Sequence, residues 1–346
     1  MTKLRIEAQR GYDVLIGAGI SDGLCELIKP LGGQRIVLVC GDTVAGLYGE
    51  KVRKNLENAG FSVHTFVYPH GESSKNMQTL TQLLSFMAQS GLDRHDLAVA
   101  LGGGVTGDLT GFAAACYMRG IAYVQVPTTL LAMVDSSVGG KTAVDLPEGK
   151  NLAGAFWQPS LVICDTDMLK TLPREIFTDG CAEVVKYAVL RRPELLNDSD
   201  VEALIAGCIE IKADFVRSDE HDLGLRRLLN LGHTVGHAVE TRSGFAMSHG
   251  RAVAIGLSVI CRAAEAHGDC EKGTAKAVTD ALSALGLPTA CPYPASELCK
   301  LISADKKAHG DDITIAIPRR LGECELKSLP MDELYAYLLP GFGDAP

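Results

Sequence analysis

Leu97-Ala98-Val99-Ala100-Leu101-Gly102-Gly103-Gly104-Val105-Thr106-Gly107-Asp108 is the stretch whose reading decides the fold. Five apolar residues read as a buried strand, the glycines as a tight turn, and the run from 109 to 117 as a helix. A strand that turns on glycines into a helix N-terminus makes an anion cradle, because backbone N–H groups and the helix dipole face the turn. That suits a dinucleotide pyrophosphate, although three adjacent glycines also suit a close packing turn.

Working outward, strand-like and helix-like segments alternate at βαβ spacing: strands near 35–40, 61–67, 97–101 and 121–126, helices near 44–58 and 76–90. An acidic partner about 20 residues beyond the glycines is missing, but Asp42 ends an earlier strand, where a carboxylate takes ribose hydroxyls. Gly17-Ala18-Gly19 lacks a third glycine and reads as an ordinary turn. Gly71-Glu72-Ser73-Ser74-Lys75 adds a polar loop after another strand. Asp135-Ser136-Ser137-Val138-Gly139-Gly140-Lys141-Thr142 joins paired glycines to a lysine without forming a Walker A loop, since Asp135 stands where that loop needs glycine. Lys150-Asn151 follows in a stretch poor in other charge.

Beyond Pro159 the periodicity becomes helical, at roughly 174–190, 200–218, 226–242, 250–267, 273–285 and 294–304. The expected architecture is therefore an α/β dinucleotide-binding domain with a parallel sheet in residues 1–165 and an all-α domain in residues 166–346. At 3.6 residues per turn His233 and His237 share a helix face, and His249 follows a glycine-containing bend. Such a set binds metal only if a carboxylate joins it. Glu183, with Lys186 one turn on, is an acid in apolar surroundings that a metal would pair. Lys212, Arg226 and Lys306-Lys307 supply positive charge.

With 346 residues, 47% of them hydrophobic, the chain can bury large cores. A net charge of −9 argues against nonspecific nucleic-acid binding, so an anionic ligand must meet a local basic cluster. Eleven cysteines without ligand spacing suit a reducing compartment. No stretch reaches membrane-spanning length, and the expected address is the cytoplasm.

These motifs, together with Tyr117-Met118-Arg119-Gly120, Pro127-Thr128-Thr129-Leu130-Leu131, Ala182-Glu183-Val184-Val185-Lys186-Tyr187, Leu229-Asn230-Leu231-Gly232-His233-Thr234 and Ser248-His249-Gly250, resemble the 3-dehydroquinate synthase family of sugar phosphate cyclases over nearly the whole chain. The resemblance implies an active site in a cleft between the two domains. It implies zinc, with cobalt as a possible substitute, held by Glu183, His233 and His249, and makes His237 a substrate-facing imidazole rather than a ligand. It implies NAD held by Asp42, Glu72, Lys75, Gly103, Gly104, Val105, Asp108, Thr128, Thr129 and Thr171, with Lys141 and Lys150 adjoining. It gives the phosphate end of the substrate to Lys141, Asn151, Asn230, His237 and Lys307 (or Lys306), with Arg119 reaching across from the second subunit of a homodimer. Lys212 and Arg226 meet the carboxylate, and Lys150, Asp135 and Lys186 line the ring.

The implied reaction converts 3-deoxy-D-arabino-heptulosonate 7-phosphate to 3-dehydroquinate and phosphate, through transient oxidation by NAD, phosphate elimination, reduction, ring opening and aldol closure. This is the second step of the shikimate pathway. Asp222 stands where many relatives have glutamate, the segment between Lys186 and Lys212 is short, and Met133, Ala143, Asp145 and Trp157 replace commoner choices. A glycerol dehydrogenase-like polyol dehydrogenase is the rival enzyme reading, but it needs no clamp for phosphate and carboxylate. Other sugar phosphate cyclases take substrates without the carboxylate. A catalytically idle NAD-binding scaffold needs neither the metal set nor the basic residues.

Overall fold

The computed structural model describes residues 1–306 and 311–343, and the chain divides into two compact units, 1–173 with 201–221 and 174–200 with 222–346. In the first unit β1 (Thr2–Ile6), β2 (Tyr12–Gly17), β3 (Arg35–Gly41), β4 (Ser62–Tyr68), β5 (Leu97–Gly102) and β6 (Ala122–Pro127) precede a hairpin, β7 (Lys141–Leu146) with β8 (Gly149–Phe156), and then β9 (Leu161–Asp165). Seven of these strands form one sheet in the order β1-β2-β9-β6-β5-β3-β4. Every neighbouring pair is parallel except β1–β2, so the expected parallel sheet carries one antiparallel edge. Each residue of β5 is buried, as its unbroken apolar run requires when helices cover both faces. Each fully buried Leu or Val there contributes about 1.5–3 kcal/mol.

From β3 the chain moves outward to β4, then returns to place β5 on the other side of β3. That reversal is a topological switch point, and ligands of open α/β sheets bind outside the carboxyl ends of the strands flanking it. The helix after β5 runs Gly104–Cys116, beginning several residues before the expected start, so the glycine turn is itself the helix N-terminus. The 141–156 hairpin was not legible as strands; its register breaks beside Asp145.

Two expectations about domains are corrected. Residues 166–173 belong with the sheet, and so does the Val201–Ser218 helix, which packs against β1, β2 and the turn at 132–136 through an apolar face including Ile205 and Ile209. The second unit is mainly helical but not all-α: β10 (Asp312–Arg320) and β11 (Glu323–Pro330) pair antiparallel. Its central helix, Arg174–Leu190, is buried at every residue from Gly180 to Leu190. The helix expected over 226–242 is broken, a 3-10 segment Leu225–Asn230 leading into His233–Arg242. Gly232 makes the break with φ +79°, and a Cβ there would lie 2.9 Å from the Leu257 nitrogen.

Candidate active site

The candidate ligands of the helical unit converge because glycines let three helices approach closely. A Cβ on Gly250 would sit 1.9 Å from the Asp179 carbonyl, and one on Gly256 1.9 Å from the Gly232 carbonyl. The His249–Ala266 helix is thereby pressed against both the Glu183 helix and the His233 helix. Asp179, one turn before Glu183, pins the arrangement: its Oδ1 accepts from the Ser248 hydroxyl at 2.5 Å and the Arg251 N–H at 3.0 Å, capping a helix that is not its own.

As a result Glu183 Oε1 lies 3.4 Å from His233 Nε2 and 3.3 Å from His249 Nε2. Glu183 Oε2 lies 2.5 Å from the buried Lys186 ammonium. The remaining ring nitrogens have partners of their own. His233 Nδ1 faces the Leu231 carbonyl at 3.1 Å, which can only accept, so Nδ1 carries a proton and the ring is held with Nε2 toward Glu183. His249 Nδ1 faces Glu240 Oε2 at 3.6 Å, which orients the ring the same way. Burial alone would raise the Glu183 pKa, but Lys186 and His233 hold it well below the ordinary carboxylate range. Burial alone would lower His249, but Glu183 and Glu240 push it up to about 10. The field at this spot favours positive charge, and one carboxylate with two imidazoles fits a divalent ion with coordination positions left for substrate. His237 is exposed, its ring 5.4 Å from that of His233, and shares a second possible ligand set with Glu240 and His249 rather than with Glu183. In the same unit Arg226 is buried and Asn230 exposed.

In the sheet unit the nucleotide candidates all follow carboxyl ends of parallel strands. Asp42 follows β3, Glu72 and Lys75 follow β4, Gly103, Gly104, Val105 and Asp108 follow β5, Thr128 and Thr129 follow β6, and Thr171 follows β9. Gly103 is the N-cap of its helix and offers no side-chain cap, which leaves the helix N-terminus suited to an anion. These glycines also have packing duties. A Cβ on Gly103 would come 3.1 Å from Thr129 Cγ2, and one on Gly107 2.4 Å from Gln125 Oε1. Lys75 is buried and pairs with Asp108 Oδ2 at 2.5 Å while donating to Asn151 Oδ1 at 2.6 Å. Lys150 pairs with Glu72 at 3.3 Å, and the Asp145 N–H donates to the Lys75 carbonyl at 2.8 Å, so the hairpin is tied to the loop after β4.

That register separates two residues expected to share the phosphate. Lys141 is exposed at the open end of the hairpin and Asn151 lies near its turn, about 13 Å away along the strands at ~3.3 Å per residue. Lys212 reaches Asp135, 3.1 Å to the carboxylate and 2.7 Å to the backbone carbonyl. Arg119, Asn151 and Asp222 hold φ of +67°, +57° and +59°, conformations that non-glycine residues adopt at a cost and that cluster at functional sites. Lys307 lies outside the described residues, as does the side chain of Lys306. The Gly17-Ala18-Gly19 turn is structural: buried Asp165 accepts from the N–H groups of Gly19 and Ser21 at 2.8 and 3.0 Å. Sequence reasoning missed Asp179, Glu240, His70, which meets Asp42, and Tyr48, whose hydroxyl bonds that of Thr171. Only Glu240 carried a signal, as an acid two turns along the helix from His233.

Residues 65–179 match the model of the 3-dehydroquinate synthase N-terminal region, and residues 180–308 that of its C-terminal region. The chain belongs to the 3-dehydroquinate synthase family. Among its relatives, the 3-dehydroquinate synthase of Pelobacter propionicus is 44% identical over 94% of this chain and 95% of its own length. That of Clostridium acetobutylicum is 40% identical over 98% and 99%. A solved 2-epi-5-epi-valiolone synthase from Streptomyces hygroscopicus with NAD+ and Zn2+ bound is 26% identical, with a TM-score of 0.86 over 99% of this chain and 98% of that one. A 2-deoxy-scyllo-inosose synthase complexed with carbaglucose-6-phosphate, NAD+ and Co2+ shares the fold, with a TM-score of 0.88 at 24% identity over 97% and 99%. The likeness to a probable glycerol dehydrogenase from Sinorhizobium meliloti is looser, with a TM-score of 0.68 at 13% identity over 96% and 97%. Membership in the 3-dehydroquinate synthase family thus accords with the sheet and helical units described above.

Proposed function

We propose that the chain is a phosphate-eliminating cyclase, a carbon–oxygen lyase converting 3-deoxy-D-arabino-heptulosonate 7-phosphate to 3-dehydroquinate and inorganic phosphate in the shikimate pathway toward aromatic amino acids. The observation that carries this reading is the convergence of Glu183, His233 and His249, with both Nε2 atoms turned to one carboxylate oxygen, in a chain 44% identical to a named 3-dehydroquinate synthase. When bound, NAD supplies a reversible hydride acceptor, and a Zn2+ or Co2+ ion a Lewis acid for a sugar hydroxyl.

The chain's own residues supply orientation and charge. Glu183, His233 and His249 hold the ion, and Lys186 fixes the Glu183 carboxylate that would otherwise lie buried with a bare negative charge. The strand-end residues from Asp42 to Thr171 hold the nucleotide. Lys141, Asn230 and His237 are assigned to the phosphate, while Asn151, bonded to Lys75 near the hairpin turn, stands apart from Lys141. Lys212 and Arg226 are assigned to the carboxylate, and Asp135 holds the Lys212 ammonium in place. A phosphate monoester is itself a proton acceptor near neutral pH, so the protein's task in elimination is to hold one conformer and balance its charge.

The form we propose is a cytoplasmic homodimer with Arg119 completing the partner's site. Support comes from the exposed, left-handed turn that presents Arg119 and from eleven cysteines that are all free thiols. Among the described residues no helix is long and apolar enough to cross a membrane. Purified protein given the heptulosonate phosphate, NAD and Zn2+ is expected to release inorganic phosphate while absorbance at the NADH band stays flat. A steady rise of NADH without phosphate would mark a polyol dehydrogenase instead.

A further inference from the structure

The Asp42 carboxylate is held from one side only. Its Oδ1 accepts from the Thr43 N–H at 2.6 Å, the Thr43 hydroxyl at 3.3 Å, the His70 N–H at 3.2 Å and His70 Nδ1 at 2.6 Å. Among the described residues no donor is within hydrogen-bonding reach of Oδ2. Two of the four donors come from His70, in the loop after β4, so one residue clasps that loop to the end of β3. The contact at Nδ1 also fixes the imidazole tautomer, since a carboxylate can only accept. What remains is an oxygen of the same carboxylate with no protein donor among the described residues, turned to solvent at the switch-point edge of the sheet beside the β5 glycine turn. His70 has no place in the sequence expectations for the family, and it is largely exposed, so no core packing explains it.

An open carboxylate oxygen at this edge suits a neutral hydroxyl pair and repels a phosphate dianion. We propose that His70 is a positioning residue for nucleotide selection: it locks Asp42 so that Oδ2 takes the hydroxyls of the adenosine ribose of NAD and rejects a ribose carrying a 2′-phosphate. The inference rests on the reading of the strand ends as a nucleotide site.

The test is calorimetric titration of the full-length protein with NAD and with NADP, for wild type, His70→Ala, His70→Asn and Asp42→Asn. His70→Ala is expected to weaken NAD about tenfold, the scale of one charge-assisted hydrogen bond, and to narrow the preference over NADP. His70→Asn, whose amide N–H branches at the same position as Nδ1, is expected to restore affinity close to wild type. Asp42→Asn should erase most of the discrimination against NADP. A thermal unfolding transition unchanged in all three variants reports that the fold is intact. If His70→Ala binds NAD as tightly as wild type, or more tightly, the assignment to His70 is wrong although the site stands. A wild-type protein that fails to take up NAD overturns the nucleotide reading and this inference with it.

Discussion

In the sheet unit, the candidate residues sit one loop beyond successive parallel strands, and much of what they offer is backbone: a glycine N-cap, a helix N-terminus, the turn after β6. In the helical unit the candidates are side chains from three helices separated by up to 66 positions in sequence (249 minus 183), and they meet only because Gly232, Gly250 and Gly256 remove the atoms that would hold those helices apart. A strand-end site inherits its geometry from sheet topology, so each piece can be read locally. A helix-packed site has no such local rule. It should also be the less forgiving of the two, since Glu183 is fully buried and the candidate histidines meet at its carboxylate.

That contrast is tested hardest at Glu183. Glu183→Gln removes a ligand and leaves the Lys186 ammonium buried without its anion. Loss of zinc by elemental analysis, a fall in turnover of about 10³-fold or more, and destabilisation of about 3 kcal/mol by denaturant titration are expected together. His249→Ala should likewise lose zinc while His237→Ala keeps it; equal loss in both would restore the helix-face pair His233 and His237 as the ligands. Lys141→Ala addresses the other unit, and turnover is expected to drop about 10²-fold with zinc and stability retained. Near-normal turnover there would remove Lys141 from the site.

How much of this was legible follows the same division. The β5-glycine-helix stretch was readable as a strand, a glycine turn and a helix N-terminus, the edge proposed for the nucleotide, because the three are consecutive in sequence. Asp42, which lacks the usual spacing from the glycines, was expected at the end of a strand, and it stands directly after β3. Helix-face periodicity alone paired His233 with His237, and nothing local could show that Glu183 points at His233 and His249 instead; the resemblance to known cyclases supplied that. The hairpin at 141–156 was hidden by glycines and charges that read as loop, and the break at Gly232 by a helical pattern continuing on both sides. Asp179 and His70 act through partners 69 and 28 positions away, beyond any periodicity.

Two smaller effects sharpen the comparison. Gly250→Ala should cost about 1–3 kcal/mol and loosen zinc binding, because the new Cβ meets the Asp179 backbone, which cannot swing away. Gly103→Ala meets only the end of the Thr129 side chain and should lower the melting temperature less while weakening NAD. If the two substitutions prove equally destabilising, the helix-packed site is no less tolerant than the strand-end one. The least effect concerns pH. Burial alone would lower the Lys75 pKa, but Asp108 holds it above the ordinary 10.5. A cation so raised contributes stability below that value and gives it up as pH climbs through the folded-state value. Denaturant stability should therefore fall in that alkaline window, and Lys75→Gln should flatten the fall.

The most direct measurement remains a coupled one: inorganic phosphate and NADH followed in the same cuvette as the protein turns over the heptulosonate phosphate with catalytic NAD and added zinc. Many phosphates released per NAD, with NADH never accumulating, is the predicted result. NADH formed in proportion to substrate consumed, with the phosphate ester left intact, would contradict it.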